Sequence, residues 1–167
     1  MEIILNPTWQ EYKQLRLKAL ETDPKAFGSS LEEERLSPDE KWQKYLNLSI
    51  QKQGEVMLFA RVDGALVGMV GAYWDDKKKS RHVATMFGTY VEKSYRGRKI
   101  GSMLIENLLN ELKNLPQLKK IKLAVVSSEP AAIRLYEKFG FERVGIEKKE
   151  LFDDPEYSDT ILMEKLL

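Results

Sequence analysis

The chain has no cysteine, which excludes disulfides, thiolate metal sites and any acyl-thioenzyme intermediate built on its own side chains. It has a single histidine, His82, too few for a two-histidine metal site and without the spacing of a Ser-His arrangement. Neither sign of charge is in excess. Lysine plus arginine number 27 against 26 aspartates and glutamates, so no net field exists to hold a polyanion, and nucleic acid is a poor partner. No apolar run reaches the roughly 18 residues that would span a bilayer. The opening residues Met1 to Pro7 lack a basic stretch followed by an apolar one and do not resemble a signal peptide. The expectation is a cytoplasmic protein with no membrane partner and no metal.

What remains is a chain of 167 residues with 43% hydrophobic content, the size and composition of one domain spanning residues 1–167. Ile3 to Leu5 read as a short strand. Thr8 is placed to cap a helix carrying Tyr12, Leu15, Leu17, Ala19 and Leu20, which stops before Asp23-Pro24. Gly28 to Glu34 reads as a polar connection, and Ser37-Pro38 starts a second helix running to about Gln51. Val56–Val62 and Ala65–Trp74 are strand-like and flank Asp63-Gly64, a hairpin signal. After a solvated run that includes Lys77-Lys78-Lys79 comes a strand from Val83 to Val91. A helix is expected over Gly97–Leu115, then a strand over Ile121–Val126, a short helix over Pro130–Phe139, and strands over Phe141–Leu151 and Thr160–Leu166. This order predicts a mixed α/β fold with helices on both faces of one sheet.

The chemistry concentrates where the strand ending at Tyr90 and Val91 meets Arg96-Gly97-Arg98-Lys99-Ile100-Gly101-Ser102. A helix start offers N–H groups without intrahelical acceptors at the positive end of a dipole, which suits a phosphate. Gly97 and Gly101 allow close approach, and Arg96, Arg98 and Lys99 add charge. The same turn also reads as a plain solvated helix start. Walker and three-glycine dinucleotide spacings are absent, which sets ATP and NAD behind.

Arg96 to Gly101, preceded by Val91, resembles the Arg/Gln-x-x-Gly-x-Gly/Ala signature of the GNAT family of N-acetyltransferases. Ala132-Ile133-Arg134-Leu135-Tyr136-Glu137-Lys138-Phe139-Gly140-Phe141 is similar to a second element of that family, in the expected order. Lys99 departs from the family's middle glycine. It is expected to take ordinary helical dihedrals and still offer its N–H. Glu129 stands near an asparagine common in the family, and that residue's role is not carried over.

The resemblance implies the acyl-CoA N-acyltransferase fold, with a mostly antiparallel sheet. It implies acetyl-CoA as co-substrate and direct transfer to a primary amine of a small molecule or peptide. It further implies that Tyr90 and Val91 bind the pantetheine arm, that residues 96–102 bind the pyrophosphate, and that Tyr136 is the general acid. Tyr136 also reads as a packing residue beneath Phe139 and Phe141. The base is left open among Glu92, Glu33, Glu34 and a water chain. Glu32 to Glu34 and Asp153 to Glu156 fall where the family places its acceptor cleft, which would attract a cationic amine; ordinary solvated loops are the other reading. Small enzymes of this family often pair, so a homodimer is admitted. Two rival readings remain, a non-catalytic acyl-CoA-binding regulatory module and a nucleotide- or RNA-binding module resting on Arg96 to Lys99 alone.

Overall fold

The structure is a computed structural model that describes residues 1–167. Its first strand is β1 (Glu2–Ile4) and its first helix α1 (Trp9–Thr22). Thr8 closes a reciprocal cap on that helix: its hydroxyl accepts from the Glu11 N–H, and the Glu11 carboxylate accepts from the Thr8 N–H at 2.7 Å. Tyr12, Leu15 and Ala19 form the buried stripe. A five-residue helix, α2 (Leu31–Arg35), is capped by Ser30 within the stretch expected to be a polar connection. It is too short and too polar to show a period. α3 (Asp39–Gln51) follows.

β2 (Glu55–Val62) and β3 (Ala65–Tyr73) form the expected hairpin, with φ of 49° at Asp63 and 85° at Gly64, the paired left-handed conformation of a type I′ turn. Then come β4 (Val83–Val91), α4 (Ile100–Lys113), β5 (Lys120–Val126), α5 (Pro130–Lys138), β6 (Glu142–Asp153) and β7 (Glu156–Leu166). One seven-stranded sheet results, in the order β1-β2-β3-β4-β5-β7-β6, antiparallel everywhere except between β4 and β5. This is the mixed α/β order read from the sequence, with the mostly antiparallel sheet that the family resemblance implies.

Strand alternation divides the core in two. Val56, Leu58 and Ala60 of β2 pack with Leu104, Ile105 and Leu108 of α4, and the α5 residues Ile133 and Tyr136 join the same cluster. Met57 and Phe59 face the opposite way, against Tyr12 and Leu15 of α1 and Trp42 and Leu46 of α3. Leu104 and Leu108 are fully buried, so truncating either to alanine is expected to cost about 2–5 kcal/mol.

Two irregularities in β4 open the sheet. Met69 pairs with Tyr90 and Gly71 with Phe87, so β4 carries one extra residue between those rungs. Gly88 takes the strain there at φ 65°. Such a bulge bends its strand and sharpens the twist. On the other side β4 pairs with β5 only through Val83↔Lys120, Ala84↔Ile121 and Thr85↔Lys122. Beyond those rungs the strands diverge.

Candidate active site

The divergence leaves a chamber of about 400 Å³. It is lined by β4 from Met86 to Val91, by β5 from Leu123 to Val126, by the start of α4 and by Ala132, Leu135 and Tyr136 of α5. Across the β3–β4 ladder the Glu92 N–H donates to the Val67 carbonyl at 2.8 Å. The alternation of an antiparallel ladder therefore turns the N–H and C=O of Val91 away from β3 and toward the gap. The Val91 carbonyl accepts from Arg96 Nε at 2.8 Å. Tyr90 lines the chamber from a buried position, its hydroxyl 3.0 Å from Thr22 Oγ1.

The turn into α4 is wound differently from the expectation. Lys99 has φ 63° and ψ 10°, and Gly97 has φ 79°, so both are left-handed and the helix begins at Ile100 rather than at Gly97. Ordinary helical dihedrals at Lys99 are thus ruled out. The left-handed pair has a purpose that physical chemistry makes plain: alternating hands along a turn aim successive N–H groups at a common point. From Gly97 through Ser102 no backbone N–H finds an acceptor within the protein. No side chain caps the helix and no acid lies in its first turn. An unmatched positive end results, with Lys99, Ile100, Gly101 and Ser102 on the chamber wall.

The side chains of this segment divide the work. Arg96 reaches inward, donating from Nη2 to Asp23 Oδ2 at 2.6 Å, with its guanidinium 5.9 Å from the Tyr90 ring. Arg98 lies over the Tyr95 ring at 5.2 Å. Gly97 and Arg98 do not line the chamber, although they flank its mouth in the chain.

Tyr136 is 7% exposed and meets Phe141 edge to face at 5.9 Å, yet it also lines the chamber. Burial pushes its phenol above the ordinary tyrosine value, with the Thr89 side chain pulling the other way, so it holds its proton at neutral pH. Glu129 lines the same chamber as the residue preceding α5, without a side-chain cap. Glu92 faces elsewhere, paired with Lys18 at 2.6 Å. His82 sits at the other end of β4, where its carbonyl accepts from the Lys119 N–H.

A second chamber of about 600 Å³ lies on the α1 and α3 face of the sheet and shares Phe87 and Gly88 with the first. Tyr12, Trp42, Met57, Met69 and Tyr73 supply much of its wall, Arg16 and Lys41 supply positive charge, and Glu34, Glu55, Asp75 and Asp76 supply negative charge. Glu34 is bound to Lys41 at 2.8 Å, and Glu33 lies outside on the exposed side of α2. At the β6–β7 turn, Glu156 is ion-paired with Lys25. Desolvation pushes the Glu55 carboxyl up to about 7. Arg16 stacks on Phe27 at 4.6 Å and donates from Nη2 to Ser29 Oγ at 3.3 Å.

The sequence reading singles out none of Arg16, Trp42 or Glu55. One cue exists for the first: Arg16 interrupts the buried stripe of α1 between Tyr12 and Ala19. No cluster of three or more histidine, cysteine, aspartate or glutamate side chains able to hold a metal ion occurs. No helix is long and apolar enough to cross a membrane.

A model of the acetyltransferase (GNAT) family matches residues 10–141. The chain is similar to the L-amino acid N-acetyltransferase AaaT of Escherichia coli strain K12, with 27% identity over 164 residues, 98% of this chain and 97% of the relative. A GNAT-family acetyltransferase from Streptococcus pneumoniae has a TM-score of 0.87 at 25% identity, over 99% of each chain. A Salmonella typhimurium structure with its cofactor acetyl-CoA has the same fold, with a TM-score of 0.84 at 18% identity over 100% of this chain and 94% of that one.

Proposed function

The chain belongs to the acetyltransferase (GNAT) family, and on that premise we propose that it moves the acetyl group of acetyl-CoA directly to a primary amine within a ternary complex. The observation that carries this reading is the gap between β4 and β5, with the Val91 N–H turned into it and six consecutive free N–H groups at its mouth. These groups fit the molecule. A pyrophosphate would collect hydrogen bonds from Gly97 to Ser102 beside the Lys99 and Arg98 cations, and an extended arm would lie between the diverging strands. Acetyl-CoA supplies the activated thioester carbonyl.

The roles of the chain's own residues follow from what transfer requires. The Val91 N–H would donate to the thioester oxygen as negative charge builds on it. Tyr136, buried and protonated, would give its proton to the departing sulfur. For the base we favour Glu55 over Glu92, Glu33 and Glu34. Glu92 is committed to Lys18 and Glu34 to Lys41, whereas Glu55 lines the second chamber and titrates near neutrality, where a base is most effective. A water would relay the proton from the amine. The second chamber would hold the acceptor, and the L-amino acids acetylated by the E. coli relative are one class the reading admits. The sheet takes in strands from both ends of the chain, which supports treating residues 1–167 as one domain.

Calorimetric titration of acetyl-CoA, followed by thiol release across a panel of amines and peptides, tests the proposal. Micromolar binding with release for one acceptor class is the expected result. Binding without release would favour a non-catalytic acyl-CoA-binding module, and absence of binding would remove both.

A further inference from the structure

We infer that the second chamber binds a carboxylate through Arg16 and Trp42, so that the amine acetylated is that of a free amino acid with an apolar side chain. The inference rests on the transfer reading above for its chemistry and on the unpaired donors of this chamber for its specificity.

Arg16 Nη1 is buried and has no hydrogen-bond partner in the protein, and neither has the indole Nε1 of Trp42, a side chain only 2% exposed. Both residues line the same chamber. Arg16 makes no ion pair: Glu34, the acid whose charge reaches it, is bound to Lys41. An uncompensated guanidinium is a costly thing to bury, and a buried N–H without an acceptor adds to the cost. The arrangement makes sense when a ligand brings the missing acceptors. A carboxylate does so with the geometry that the planar guanidinium fork favours, while the Phe27 ring beneath Arg16 holds the fork in place.

The unpaired groups are donors only, which separates acceptor classes. A polyamine brings further donors and positive charge, and would leave both groups unsatisfied. The same holds for the amine end of a peptide whose carboxylate lies many residues away. Tyr12, Met57, Met69 and Phe87 on the wall offer no charge to a side chain, so an apolar one fits. Glu55, Asp75 and Asp76 also line the chamber, yet none of them is hydrogen-bonded or ion-paired to Arg16, whose one side-chain bond is to Ser29.

The reaction balances with this substrate. The ammonium first loses one proton to Glu55 through water. The nitrogen then bonds to the thioester carbonyl carbon and releases a second proton as the C–S bond breaks. Sulfur takes one proton from Tyr136, the second nitrogen proton restores the phenol through solvent, and Glu55 releases the first. The products are an N-acetyl amino acid, free thiol and one proton to solvent.

The test uses matched acceptors with the full chain and saturating acetyl-CoA: phenylalanine, phenylalaninamide and phenethylamine, then leucine, leucinamide and isoamylamine, with spermidine alongside. Wild type is expected to favour the free acids in kcat/KM by about a hundredfold or more. Arg16→Gln should collapse that preference to within about threefold by raising KM for the acids, while acetyl-CoA binding by calorimetry stays unchanged. Trp42→Phe keeps an aromatic ring, though a smaller one, and removes the N–H; it should weaken the acids by about tenfold more than the matched amides and amines, which share any loss from packing. Equal or better turnover of phenethylamine or spermidine by wild type would overturn the inference and leave the transferase reading intact. So would an Arg16→Gln loss spread evenly over every acceptor. Failure to bind acetyl-CoA would overturn both readings. Should Arg16→Gln fail to fold, the wild-type series and Trp42→Phe decide the matter.

Discussion

Arg96 ties the end of β4 to the loop that follows it: its Nε donates to the Val91 carbonyl at 2.8 Å while Nη2 holds Asp23 at 2.6 Å. The Val91 N–H lies in the preceding peptide plane, where the β3–β4 ladder on either side, through Met69↔Tyr90 and the Glu92 N–H to Val67 bond, turns it toward the gap, and Arg96 holds the plane that follows. Arg96 therefore positions the strand end as well as contributing charge. Arg96→Gln keeps a donor for the Val91 carbonyl and is expected to bind acetyl-CoA within about threefold of wild type, whereas Arg96→Ala should weaken it by about tenfold or more. Calorimetry at two salt concentrations checks this. A role confined to charge would give both variants the same loss and a reduced salt dependence.

Tyr136→Phe removes one hydroxyl and leaves the edge contact with Phe141. Turnover is expected to fall by about 10²-fold or more, in the range of a lost general acid, with acetyl-CoA affinity and thermal midpoint little changed. Steady-state thiol release checks it; full turnover would remove Tyr136 from the mechanism.

Glu55 sets stability against activity. Its folded pKa of about 7 lies above the ordinary carboxylate value of 4.5. Between those values the folded chain keeps a proton that the unfolded chain has released, so stability falls as pH rises through the window and the penalty is complete above 7. Because the side chain is half-buried, the penalty is discounted to about 1–2 kcal/mol. Glu55→Gln should raise the thermal midpoint at pH 8 by a few degrees, gain nothing near pH 4.5, and lower turnover by about 10²-fold. Thermal melts across pH and a kcat profile read the two effects separately.

Lys99 occupies a left-handed position, where a non-glycine residue costs about 1–2 kcal/mol. Lys99→Gly is expected to return about half of that, because glycine also loses more freedom on folding, and to raise the thermal midpoint by a few degrees. The same change removes a cation from the chamber wall, so acetyl-CoA should bind more weakly and with a shallower salt dependence. A melt combined with titrations at two ionic strengths would reveal either effect alone.

Much of the fold was legible because its signals are local. Thr8 with Glu11, and Asp63 with Gly64, each carry their geometry within four residues, and the expected strand Val83–Val91 matches the structure. The short α2 escaped for want of apolar residues to show a period. The start of α4 was misplaced because lysine is not a residue from which a left-handed conformation is read. The turn from Arg96 to Ser102 and Tyr136 stood in recognisable motifs. Arg16, Trp42 and Glu55 did not, since they come from α1, α3 and β2 and meet only through packing.

The three rungs joining β4 to β5 leave the sheet with an edge that faces inward. An outward edge is a hazard, because any passing chain can add a strand to it. Here residues of α4 and α5 line the opening beside the two strands, a setting that suits a thin, extended molecule. One with amides at spacings like those of a peptide could pair with both lips and finish the ladder that the chain leaves incomplete. The reactant would then serve as a borrowed strand, and the stiffness of the whole sheet would rise and fall with each turnover.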